Sequence, residues 1–141
     1  MSPEWWREEE DRMQRFEVGP MPEDEHARLI HLSNAFGRLL FEVTRAPARE
    51  RATSIPDADR SEVEALLDSQ LYAVLQVLDG VTVPVGNDQI KVEFVLKARL
   101  RDRSDTTIIE EVELGPDGEG LCMGFHGWQA GDFGAVPGLN G

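Results

Sequence analysis

A chain of 141 residues, 40% hydrophobic and 29% charged, is long enough to bury a core without metal or disulfide support, and this composition excludes global disorder. Its formal net charge of −13 argues against a nucleic-acid partner, whose phosphates require a basic surface. A single cysteine, Cys122, rules out an intramolecular disulfide or a cysteine-rich zinc motif, so a reducing, cytoplasmic address is expected.

The opening MSPEWWREEEDR is acidic where a secretory signal is basic. No apolar run approaches the roughly 18 residues of a membrane helix, so neither export nor membrane insertion is expected. Residues 1–25 hold nine acids against three arginines. Pro3, the acids after it, and Trp6, Met13 and Phe16 at helical spacing predict an acidic N-terminal helix within residues 1–20. Trp5 and Trp6 are adjacent and cannot both face one core line, which makes them candidate anchors for a protein partner.

From Pro22, the steps Leu29, Leu32, Phe36, Leu39 or Leu40, and Val43 predict a core-facing helix over 23–43. Gly37 inside it suggests close approach of another backbone. His26 and His31 are five apart, off a common helix face, and read as rim histidines. Residues 45–60, with Pro47, Pro56 and a run of arginines, lack an apolar period and read as a basic loop, a second candidate contact region. Asp57, Asp59 and Ser61 resemble the start of a calcium loop, but Glu62 stands where that loop needs glycine. Ser61 and Glu64 instead form a capping box for a second core-facing helix over 61–79, closed by Gly80.

Beyond Gly80 the period changes to two. Val81, Val83 and Val85 predict a first strand, with Pro84 placing it at an edge. Ile90 to Arg101 alternates more cleanly than any other stretch, with Ile90, Val92, Phe94, Leu96, Ala98 and Leu100 on one face and mostly charged residues on the other. Residues 106–114 and 121–128 complete the expected fold: α+β, with two to three N-terminal helices packed on one face of a four-stranded antiparallel meander. Residues 1–134 are expected as one domain and 135–141 as a flexible tail.

Register sets the candidate site. Pairing Leu114 with Leu121 places Glu113 beside Cys122 and Ile109 beside His126, while Lys97 and Arg99 face Glu111 and Glu113. The outer face then gathers Lys97, Arg99, Glu111, Glu113, Cys122, His126 and Trp128 as a ligand or partner face. A cysteine and histidine about 7 Å apart along a strand are too distant for direct proton transfer. No catalytic residues, metal site or cofactor are therefore assigned. Glu110 is the one acid on the inner face and needs a partner there. The reading that uses most of the chain is a small acidic protein-binding module of inhibitor, antitoxin, immunity or adaptor type, engaging a basic protein as monomer or homodimer. The alternative is a small-molecule or metal-binding domain, conceivably enzymatic, on the outer face.

Overall fold

A computed structural model describes residues 15–114 and 120–139. Helix α1 (Glu25–Leu40) starts where Asp24, in extended conformation, accepts a hydrogen bond from the Ala27 amide at 2.9 Å, satisfying one of the orphan donors of the first turn. The path continues through a π-helical turn at Phe41–Arg45 into α2 (Ala46–Ala52). Pro47 accounts for the widened turn: it has no N–H to donate and its ring crowds the carbonyl one turn back.

The expected basic loop is therefore partly helix. Ala46, Ala48 and Ala52 favour helix intrinsically, and Arg45 and Arg49 turn inward to carboxylates on α3 (Asp57–Leu78). Arg45 meets Asp68 through two hydrogen bonds of 2.8 and 3.0 Å, and Arg49 bridges Asp68 at 2.7 Å and Glu64 at 2.9 Å. Arg45 also lies over the Phe41 ring, 4.5 Å from its centroid. Helix α3 begins one turn before the anticipated Ser61 cap, because Pro56 is suited to a helix start and Asp57 and Asp59 complement the dipole there.

Among the described residues the sheet has two strands, not the four expected. Strand β1 (Lys97–Arg101) pairs antiparallel with β2 (Ile108–Glu113), with Lys97 opposite Glu113 and Arg99 opposite Glu111, the register expected from charge. The turn expected at Gly86–Gln89 is present: Asn87 Oδ1 accepts from the amides of Gln89 and Ile90, and Val92 N–H donates to the Val85 carbonyl at 2.8 Å. Around it, residues 81–96 form an exposed arm with one isolated bridge, Gly86 to Lys91, in place of a full ladder. Only Leu96, Ala98 and Leu100 of the alternating face reach the core.

The expected fourth strand is helix α4 (Leu121–Gln129). Leu121, Phe125 and Trp128 fall at helical spacing and all are buried, so the period of 3.6 prevails over the strand reading. Asp79, itself buried, caps this helix from 42 positions away in sequence, its carboxylate accepting from the Leu121 and Cys122 amides at 2.8 and 2.7 Å. Trp128 is wedged between α1 and α4. A Cβ on Gly37 or Gly124 would overlap its indole, and its Nε1 donates to Asn34 Oδ1 at 3.0 Å. Gly37 thus permits close approach of a side chain, not of a backbone. Phe41 packs edge-on against Phe125, Trp128 and Phe133, completing the aromatic centre of the core.

Residues 135–139, expected within a flexible tail, are packed. Val136 is buried, Arg38 donates to its carbonyl at 2.9 Å, Leu139 N–H reaches Glu42, and Gly138 bridges Glu17. His31, expected at the rim, is buried and donates to the Val18 carbonyl at 2.5 Å. The anticipated N-terminal helix and the Trp5–Trp6 pair lie outside the described residues. Among those described, no helix is long and apolar enough to cross a membrane.

Gly37→Ala is expected to destabilise the protein by about 2 kcal/mol despite alanine's better helix propensity, because the buried indole cannot withdraw; a denaturant titration should show a lower midpoint at unchanged slope. The Asp68 carboxyl is held below its usual value of 3.8, chiefly by the hydrogen bond from Arg45, against the opposing effect of burial, with Arg49 assisting. A depressed folded-state value means its contribution is complete above about pH 4 and lost as pH falls through the lowered value. Urea denaturation at stepped pH should accordingly show a shallower acid-side loss in Asp68→Asn than in the parent.

Candidate functional site: an acid-lined cleft

The first turn of α1 and strand β2 are brought together by Arg28. Its guanidinium meets both oxygens of Glu110, at 3.1 and 3.2 Å, and also hydrogen-bonds the carbonyls of Glu23 and Pro22. The inward glutamate thus has its partner, and the paired charges fix the helix start beside the strand.

Between these elements runs an open cleft of about 510 Å³ lined by Asp24, Glu25, His26, Leu29 and residues 110–113 of β2. Its chemistry is set by carboxylates from two directions: Asp24 and Glu25 from the helix start, Glu110, Glu111 and Glu113 from the strand. Leu29 and Val112 supply its apolar part. Glu111 is engaged by Lys97 at 3.1 Å and Arg99 at 3.0 Å. Those cations, Lys97 first, hold its carboxyl below the usual range. No cation of the described residues lies in an ion pair with Glu25 or Glu113, so the cleft keeps a negative surplus. The side of β2 away from β1 carries no further strand among the described residues, which leaves strand-edge amides and carbonyls beside the acids.

The face anticipated from sequence divides into two places. Lys97, Arg99, Glu111 and Glu113 share the exposed side of the β1–β2 pair. Cys122, His126 and Trp128 belong to α4 instead. Trp128 is a core residue. His126 is exposed, with its ring 5.6 Å from that of Tyr72. Cys122 sits half-buried beside Asp79, and its thiol is pushed up to about 11, first by burial, then by the hydrogen bond and charge of Asp79, with Tyr72 partly offsetting them. A thiol so placed is protonated at neutral pH and is a poor nucleophile or metal ligand. No three His, Cys, Asp or Glu side chains among the described residues converge as a metal site.

Sequence reasoning reached Glu111 and Glu113 and missed Asp24, Glu25, His26, Leu29 and Val112. In sequence Asp24 is recognisable only as one acid in an acidic segment, and the opposite faces of Glu110 and Glu111, which the structure bears out, give no sign that a helix start lies beside them. That a helix start would close over the strand is a tertiary fact with no local signal. No family model matches the chain, and neither the curated proteins nor the solved structures include a significant match.

Alkylation of Cys122 by iodoacetamide, followed by mass spectrometry, is expected to run roughly a hundredfold slower at pH 7 than for an unhindered cysteine, and to rise about tenfold per pH unit through pH 9. A rate that levels off near pH 8 would contradict the raised thiol.

Proposed function

We propose that this chain is a small acidic protein-binding module, of inhibitor, antitoxin, immunity or adaptor type, that engages a basic protein partner at the cleft between α1 and β2. The observation that carries the reading is the convergence of carboxylates from two elements on one open cleft, in a chain of formal charge −13. A negative recess with low-dielectric walls concentrates field lines and attracts lysine- or arginine-rich segments from a distance. The edge of β2 away from β1, which no strand of the described residues covers, suits an extended segment, which would add main-chain hydrogen bonds while alternate basic side chains reach the acids.

The competing anion or small-molecule site on the outer sheet face is less well supported. It requires uncommitted cations, whereas Lys97 and Arg99 both lie in ion pairs with Glu111. Its aromatic and cysteine contributors, Trp128 and Cys122, are on another element.

Two measurements test the proposal. Affinity capture from native cell extract should enrich a basic protein at low salt and lose it as salt screens the cleft. Titration with an extended peptide alternating lysine and valine should show binding that Glu25→Lys/Glu113→Lys reduces at least roughly tenfold, with folding unchanged. Absence of any enriched partner at low salt, together with no peptide binding, would sink the reading.

A further inference from the structure

The hydrogen bonds between β1 and β2 decide which backbone groups of β2 are left over. Leu114 N–H donates to the Leu96 carbonyl at 2.8 Å. An antiparallel ladder bonds every second residue, so residues 114, 112 and 110 turn their N–H and C=O toward β1. Those of Glu111 and Glu113 turn the other way, to the edge that no strand of the described residues covers. The regular ladder ends at Glu110, where the register shifts between Leu100 and Arg101, as a bulge interrupts pairing. The free edge is therefore short, and its backbone donors and acceptors belong to two glutamates.

Side chains alternate across the same stretch. Glu111 and Glu113 are exposed, while Glu110 and Val112 turn inward. Val112 lines the cleft together with Leu29, and Arg28 occupies Glu110. One short edge thus presents acid, apolar and acid in succession.

Resting on the reading of this cleft as the site for a basic protein, we infer that what it recognises is a three-residue core of the order basic, apolar, basic, laid antiparallel along β2. Antiparallel addition lets two incoming residues, those opposite Glu111 and Glu113, take up both N–H and both C=O groups, whereas parallel addition spreads the same bonds over three alternate residues. On so short an edge the antiparallel arrangement fits. The two bonded residues project their side chains to the face of Glu111 and Glu113, where cations complement them. Glu111 already holds Lys97 and Arg99, while Glu113 has no ion pair among the described residues, so the cation opposite Glu113 is the more stringent position. The residue between them faces inward, opposite Val112 and toward Leu29. An apolar side chain there gains from burial, whereas a charged one loses its hydration. Order along the segment, and not charge alone, then sets affinity.

Calorimetric titration of the full chain with four capped peptides tests this. The first is Lys-Val-Lys-Val-Lys-Val-Lys; the second has the same residues in two blocks, lysines then valines; the third and fourth are the alternating peptide N-methylated on every lysine or on every valine. The alternating peptide should bind at least roughly tenfold tighter than the block peptide. N-methylation of the lysines, whose amides face β2, should weaken binding at least roughly fivefold, and N-methylation of the valines should leave it within about twofold. Bound peptide should also slow hydrogen exchange at the Glu111 and Glu113 amides, with a smaller change at Glu110 and Val112, whose amides already bond β1. Equal affinity for the alternating and block peptides overturns this inference while the basic-partner reading stands. Methylated valines as damaging as methylated lysines overturn the antiparallel placement. Failure of every peptide to bind overturns the inference and counts against the reading beneath it.

Discussion

The burial of the Trp128 indole between α1 and α4 is the constraint on which the rest of the structure depends. Two glycines, Gly37 and Gly124, leave the space it fills, Asn34 satisfies its one polar atom, and Phe41 turns an edge toward it. With the indole there, α4 must be a helix, because only helical spacing sends Leu121, Phe125 and Trp128 to the same side. The helix in turn needs its first amides satisfied. Asp79, at the end of α3, accepts two of them, so the same arrangement ties the C-terminal helix to the long central one. Desolvation of the adjacent Cys122 thiol follows from that packing. Its lack of nucleophilic character is thus a by-product of how the core closes.

Arginine distribution explains how so acidic a chain has a coherent charged surface. Arg45 and Arg49 are drawn inward to Asp68 and Glu64, Arg28 to Glu110, and Arg38 to Glu42 and the C-terminal segment. These partly buried pairs fasten one element to another, where geometry and reduced screening make them effective. The cations so used are withdrawn from the surface. What remains beside the start of α1 and along β2 is a surplus of carboxylate, and the acid-lined cleft is its focus.

Apolar side chains show the opposite imbalance. The core accommodates one side of α3 and the end of the β1 stretch, while the outer side of α3 and the arm retain valines, leucines and a phenylalanine in water. An exposed apolar surface and an acid-lined cleft give the molecule two chemically distinct regions.

The sequence by itself determined the α+β class, the existence of the two long helices, expected over 23–43 and 61–79 and found at Glu25–Leu40 and Asp57–Leu78, the turn at Gly86–Gln89 and the charge register of Lys97 and Arg99 against Glu111 and Glu113. Each is a local matter: periodic burial, turn chemistry, and opposite charges on one strand face. Tertiary structure decided the rest. Whether LCMGFHGWQ became strand or helix depended on the space that Gly37 offers to Trp128, which lies 91 positions away in sequence. Whether Arg45 and Arg49 met solvent or carboxylates depended on where α3 ran. The cleft arose because Arg28 found Glu110 across 82 residues. Local pattern specifies what a segment can bury; which distant segment it is buried against is settled only when the core closes, because burial and ion pairing are properties of pairs of segments.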